Sequence, residues 1–140
     1  MTADPLMGTW RMISWENRTA DGRISYPIGT DPLGYITYSA DGYVFVAIMR
    51  PNRRKQRRRS AAGDAQEKAH AAETFVSYCG TYEFRGETVI HHVELSLFPN
   101  WVGVDQERLV EVRANRLTLS TRPTLFAGVQ QTARLVSERA

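Results

Sequence analysis

Short strand-like runs of apolar residues, some alternating with polar ones at a period of two, recur between turn residues along most of this chain. Leu117-Thr-Leu-Ser alternates cleanly, and Gly34-Tyr-Ile-Thr-Tyr, Tyr43-Val-Phe-Val-Ala-Ile-Met and Glu87-Thr-Val-Ile are rich in β-branched and aromatic residues. Such runs suit a pleated, half-buried surface. Between them stand Asp21-Gly22, Asp41-Gly42, Arg85-Gly86 and Ala114-Asn115, places where a chain reverses tightly. The pattern predicts about eight strands, near residues 8–16, 24–28, 34–39, 43–50, 77–85, 87–97, 106–113 and 116–121, and allows a closing strand near 130–138.

One segment departs from this period. From Asp64 the spacing becomes helical, with Ala65, Ala69, Ala72 and Val76 on one stripe and Phe75 beside it. Asp64 and Glu67 stand in capping-box spacing, so each side chain can satisfy a backbone N–H at the start of a helix. The spacing predicts a helix over about 64–76. Its alanine face permits close approach, which places it across a barrel wall or mouth. An antiparallel meander of this size is expected to close, because closure removes the exposed edges of an open sheet. The expected architecture is all-β: an up-and-down antiparallel β-barrel of about eight strands with one α-helix, as a single domain over residues 1–140. Eight strands enclose room for side chains and one small ligand.

Strand parity then sorts the candidate residues. Strand 43–50 is apolar on both faces, Tyr43, Phe45, Ala47 and Met49 alternating with Val44, Val46 and Ile48. One face is expected toward the lumen and the other under the helix. On strand 77–85, Tyr78, Gly80, Tyr82 and Phe84 share a face that should point inward. On strand 87–97, Val89, His91, Val93, Leu95 and Leu97 form the more apolar side. That makes His91 the lumen histidine, able to hold a polar ligand group, to move a proton, or simply to bond a core tyrosine. His92 and Glu94 share the opposite face, where an exposed His–Glu pair is expected rather than a base and its orienter. Phe98-Pro-Asn-Trp101-Val-Gly reads as a turn at the barrel end, with Asn100 and Trp101 closing over a ligand or Trp101 acting as a plain plug.

Charge and cysteine content narrow the chemistry. The chain has 18 basic and 15 acidic residues, but seven of the basic ones lie between Arg50 and Arg59, leaving eleven against fifteen elsewhere. The basicity belongs to one loop, residues 50–60. Seven neighbouring positive charges repel one another and no aromatic interleaves them to stack bases, so the loop is read as solvated, with binding of an anion or nucleic acid as the lesser reading. Cys79 is the one cysteine, which excludes an internal disulfide and multi-cysteine metal sites. Adjacent strand histidines point apart, so no metal is expected, and no phosphate loop or activated nucleophile is evident. The opening Met1-Thr-Ala-Asp-Pro-Leu has no basic region leading into an apolar stretch, and no apolar run approaches the ~18 residues of a membrane span. A cytoplasmic location is the expectation.

Gly8-Thr-Trp10-Arg-Met-Ile-Ser-Trp15-Glu, Pro32-Leu-Gly-Tyr-Ile, Asp41-Gly-Tyr, Tyr78-Cys-Gly-Thr-Tyr, His91-His-Val-Glu, Phe98-Pro-Asn-Trp-Val-Gly and Arg116-Leu-Thr-Leu together resemble the bacterial and fungal lipocalin-like domain family, over nearly the whole chain. Gly8-x-Trp10 by itself is only the general lipocalin entry motif, in which Trp10 would close the barrel base. The resemblance implies an up-and-down barrel with a central cavity and carries no uniform activity.

From this sequence we expect a barrel that binds a small, largely apolar or aromatic molecule without a cofactor. Tyr43, Phe45, Tyr82 and Phe84 would be its walls, His91 the polar anchor, and Asn100 and Trp101 the mouth. The competing class is a cofactor-free cyclase, isomerase or dehydratase of a polyketide-like or terpenoid intermediate, with His91 and Tyr82 as acid and base.

Overall fold

A computed structural model describes residues 4–56, 64–126 and 128–140. The strands are β1 (Gly8–Thr19), β2 (Ile24–Ser25), β3 (Leu33–Tyr38), β4 (Tyr43–Met49), β5 (Phe75–Phe84), β6 (Thr88–Ser96), β7 (Asp105–Arg113), β8 (Arg116–Ser120), β9 (Thr124–Phe126) and β10 (Val129–Arg139). Eight of them, β1, β3, β4, β5, β6, β7, β8 and β10, pair antiparallel in that order, and β10 returns to pair with β1. The sheet is therefore a closed barrel. β2 and β9 extend its rim as short partners of β1 and β10. The hairpin of β9 with β10 had no signal beyond a few apolar residues around Gly128.

Alternation puts one face of every strand inside. Ile36 and Tyr38 of β3, Val44, Val46 and Ile48 of β4, Val89 and His91 of β6, and Leu117 and Leu119 of β8 are all buried there. Trp10 is completely buried at the seam, where its residue pairs with Arg139 of β10 and Ile36 of β3. Its indole N–H donates to the Leu6 carbonyl at 2.8 Å, so the polar edge of a buried ring is satisfied.

Two irregularities reset this alternation. In β1 the register shifts between Met12 and Ser14, so Trp10 and Met12 point inward before it and Trp15 and Asn17 after it. In β6 the register shifts opposite Cys79 and Gly80, which pair with Leu95 and Val93 respectively and leave Glu94 as the extra residue. Val93 is buried while Leu95 is 67% exposed and Leu97 49% exposed. Simple parity had put both leucines inward; the inserted residue turns the remainder of the strand over.

β4 presents its faces in the order opposite to the expected wall. Val44, Val46 and Ile48 fill the lumen, and Tyr43 and Phe45 stand on the outer surface, 43% and 51% exposed. The interior of an eight-stranded barrel is small. With Trp10, Tyr38, Tyr78 and Tyr82 already inside or packed on the core, compact β-branched residues fit where two further rings would not.

The helix α1 runs Ala65–Glu73, with Asp64 as N-cap and both halves of the capping box formed. It ends before Val76 because Phe75 and Val76 pair with Met49 and Ile48 as the start of β5. No residue of α1 is buried, so it does not cover the outer face of β4. An alanine stripe offers too little apolar area to hold a helix on a wall. Arg53 holds it by its end instead: Nη2 donates to the Ala71 carbonyl at 2.9 Å, Nε to Thr74 Oγ1 at 3.0 Å, and the guanidinium lies 5.2 Å from the Phe75 ring centre. At least one arginine of the basic run is thus a helix-terminus partner rather than a solvated charge. Arg57, Arg58 and Arg59 lie outside the described residues.

Candidate ligand-binding site

The barrel encloses an internal cavity of ≈ 50 Å³, walled by Trp15, Ile36, Val46, Ile48, Leu119 and Leu135, and carrying Tyr78, His91, Gln106 and Arg108 as its polar groups. Trp101 and Val76 close it toward α1. Larger hollows are open to solvent, and two of them bear on the candidate residues. One of ≈ 610 Å³ runs along the outer wall past Tyr35, Phe45, Cys79, Leu95 and Leu97, and one of ≈ 620 Å³ lies at the base among Asp4, Met7, Tyr82, Phe84 and Arg85. The internal cavity is the smallest of the three, yet it alone gathers buried polar groups inside an apolar wall, which is how small-molecule sites are built.

His91 stands at the centre of these groups. It is 1% exposed, its Nε2 lies 2.7 Å from the Tyr38 hydroxyl, and its Nδ1 lies 2.6 Å from the Tyr78 hydroxyl. Burial, reinforced by the Arg108 and His92 charges, pushes its pKa down to about 3, so the imidazole is neutral at physiological pH. Burial likewise raises the Tyr78 hydroxyl to about 12 and Tyr38 well above its ordinary value. Arg108 is largely buried, and desolvation lowers its pKa against the opposing influence of Tyr78 and Tyr38. Its Nη1 donates to the Glu107 carbonyl at 3.0 Å and its Nη2 to Gln106 Oε1 at 3.1 Å.

The candidate residues fall into separate places. His91 is in the cavity. Trp101 packs edge-on against Tyr78 and Phe98, at 5.8 and 5.4 Å between ring centres, and lines the cavity. Asn100 is exposed beside it and lines none of the three hollows. Tyr82 and Phe84 point inward but toward the base, where the Tyr82 hydroxyl donates to Asp4 Oδ2 at 2.5 Å and its ring meets Tyr38 at 4.7 Å. His91 and Tyr82 therefore do not form an acid–base pair: the histidine nitrogens are occupied by Tyr38 and Tyr78, although Tyr82 is the cross-strand neighbour of His91. Tyr43 and Phe45 are outside. Tyr38, Gln106 and Arg108 were missed. For the last two the signal was present, since counting back by two from Val110 and Val112 reaches both.

His92 points outward, with Nδ1 2.7 Å from Asp105 Oδ1 and Nε2 3.0 Å from Glu83 Oε1. Those hydrogen bonds, Asp105 first, raise its pKa. Its partners are neighbours across β7 and β5 rather than Glu94: Asp105 is directly opposite His92, and Glu83 is its diagonal neighbour, two residues beyond the opposed Thr81. No group of three or more His, Cys, Asp or Glu side chains converges as a metal site among the described residues.

The burial of His91 sets an acid sensitivity. A histidine of folded pKa about 3 and unfolded pKa near 6.5 binds its proton in the unfolded chain first, so stability falls as pH drops below 6.5. We expect a loss of about 2 kcal/mol by pH 5 from this group. His92 acts with the opposite sign, its stabilisation being present at low pH and lost as pH rises through its folded pKa. Urea melts of wild type and His91→Gln at pH 7 and pH 5 isolate the His91 contribution; equal pH slopes in the two proteins would show that the ring is not held neutral.

A model of the lipocalin-like domain matches residues 7–140. The 4'-hydroxy-3'-methoxypropiophenone carrier protein of Aspergillus oryzae is 35% identical over 79 residues, covering 50% of this chain and 71% of that protein. Among solved structures, an uncharacterized protein from Bacteroides eggerthii superposes with a TM-score of 0.49 at 12% identity, covering 95% of this chain and 98% of the other.

Proposed function

Because this chain belongs to the lipocalin-like domain family, we propose that it is a carrier, holding one small, largely apolar aromatic molecule in the barrel interior. The observation that carries this is the internal cavity itself: an aliphatic wall, two tryptophans at its sides and mouth, and a short row of buried polar groups about His91. A relative that carries a hydroxylated, methoxylated phenyl ketone supports an aromatic ligand of that size. The present volume admits only a few water molecules, so the cavity widens on loading. Trp101, on a short 3-10 turn rather than a strand, is the part placed to move.

The enzymatic alternative has less to support it. General acid–base catalysis is most efficient with a group titrating near the working pH. Here the imidazole lies far below neutrality and the Tyr78 hydroxyl far above it, and both are already bonded to each other. We place the carrier in the cytoplasm, where the unpaired Cys79 thiol stays reduced.

The test uses the three tryptophans as reporters. Titrating 4'-hydroxy-3'-methoxypropiophenone into the protein should quench their fluorescence saturably. Trp101→Ala should weaken binding about tenfold, the worth of a well-placed aromatic contact, whereas Phe45→Ala on the outer wall should leave it unchanged. The reverse pattern would move the ligand to the outer groove, and an absence of saturable quenching across methoxyphenols and phenyl ketones would end the carrier assignment.

A further inference from the structure

The polar groups of the cavity all offer hydrogens. Neutral imidazole carries one N–H, so of the two tyrosines bonded to His91 one donates to the bare nitrogen and the other accepts from the N–H. Tyr38 is 1% exposed and His91 is its hydrogen-bond partner; were Tyr38 to accept, its own buried O–H would have no acceptor among the described residues. An unmade buried donor is costly. Tyr38 therefore donates to Nε2, Nδ1–H donates to the Tyr78 oxygen, and the Tyr78 hydrogen is left to point at whatever fills the cavity it lines.

Arg108 adds a charge to that donor. Of the guanidinium's five N–H groups, one serves the Glu107 carbonyl and one Gln106 Oε1. No carboxylate among the described residues lies within ion-pair distance of it, and no Asp or Glu lines the cavity. Gln106 spends its oxygen on Arg108 and keeps its amide hydrogens. The ionisable groups around the cavity are thus a cation, a neutral histidine and two protonated tyrosines, with nothing negative to balance them. A largely buried cation without a counter-ion is a costly thing to keep, and the missing partner belongs to the ligand.

We propose that the cavity selects ligands presenting an oxyanion, a phenolate or carboxylate, which is held between the Arg108 guanidinium and the Tyr78 hydroxyl. This rests on the carrier assignment above and names the chemical class that the site takes. The Tyr38–His91–Tyr78 chain is the positioning device: by accepting the histidine N–H, the Tyr78 oxygen aims its own hydrogen at the ligand.

The probes are 4-nitrophenol, whose phenolate is coloured, and its neutral methyl ether, 4-nitroanisole. In wild type we expect phenolate absorbance to rise on binding at a pH where the free phenol is half ionised. Binding of the phenol should be about tenfold or more tighter than that of the ether, the worth of a charge-assisted hydrogen bond. Arg108→Met should abolish that preference while retaining 4-nitroanisole binding, and Tyr78→Phe should reduce it. Should the methionine variant fail to fold, Arg108→Gln gives the same readout, and the wild-type comparison stands without either. Equal affinity for both probes with no change in absorbance would overturn the oxyanion site and leave the carrier intact; the same holds for a preference that survives in Arg108→Met. If neither probe binds wild type, the carrier assignment and this proposal fail together.

Discussion

Trp10→Ala is expected to cost about 3–5 kcal/mol of stability, the range for truncating a large aromatic in a packed core. That is a large part of the roughly 5–15 kcal/mol by which domains are stable at all. The magnitude follows from position. Trp10 is fully buried on β1, its N–H donates to the Leu6 carbonyl, and the Arg139 guanidinium of β10 lies 4.0 Å over its ring. Arg139 in turn donates to the Pro5 and Met7 carbonyls, so one residue ties the N-terminal segment, the first strand and the last strand together. Removing the ring leaves a cavity at the seam that closes the sheet. Urea melts of wild type, Trp10→Ala and Trp10→Phe measure it, and phenylalanine should recover most of the loss because it restores the packing but not the indole N–H. A penalty for alanine below about 1 kcal/mol would mean that the seam does not depend on this ring.

The second large effect is expected at Gly80, where one added methyl group should cost more than about 3 kcal/mol. A Cβ built there falls 1.8 Å from the His92 carbonyl oxygen and 3.0 Å from the Glu94 backbone nitrogen. Overpacking ordinarily costs about 1–3 kcal/mol because side chains give way; here backbone must give way. The backbone in question is the β6 bulge, which sets the placing of His91 and Val93 inside against Leu95 and Leu97 outside. Gly80→Ala should therefore lower Tm and impair ligand binding together, whereas Cys79→Ala next to it should change both little. A Gly80→Ala protein within 1 kcal/mol of wild type that still binds ligand would show that the bulge is adaptable.

The internal site and the bulge are connected by distance along one strand. His91 lies two residues before Val93, so a shift of the bulge toward the N-terminus would rotate the histidine out of the cavity and bring His92 in. His92 would then part from Asp105 and Glu83, which stay on β7 and β5. The Tyr38–His91–Tyr78 chain depends on that register.

The local pattern of this chain determined more of its fold than of its site. Alternation and turn residues located the principal strands of the barrel, and the Asp64–Glu67 spacing located the start of the helix, because strand pleat and helix capping are satisfied by residues close in sequence. Parity alone placed His91 inward and His92 outward, and would have placed Gln106 and Arg108 inward had it been followed along β7. Only tertiary structure decided which apolar face of β4 was the inner one, since the volume inside a closed barrel is shared by all its strands and the rings of Trp10, Tyr38 and Tyr78 had already taken it. Only pairing with β5 decided the fate of Leu95 and Leu97, because a bulge is visible in the partner strand's register and not in the strand's own residues. The contact that defines the candidate site joins Tyr38, Tyr78 and His91 from three strands. Each residue could be assigned its face beforehand, but not its height along the barrel axis, which closure and strand stagger set for the whole sheet at once.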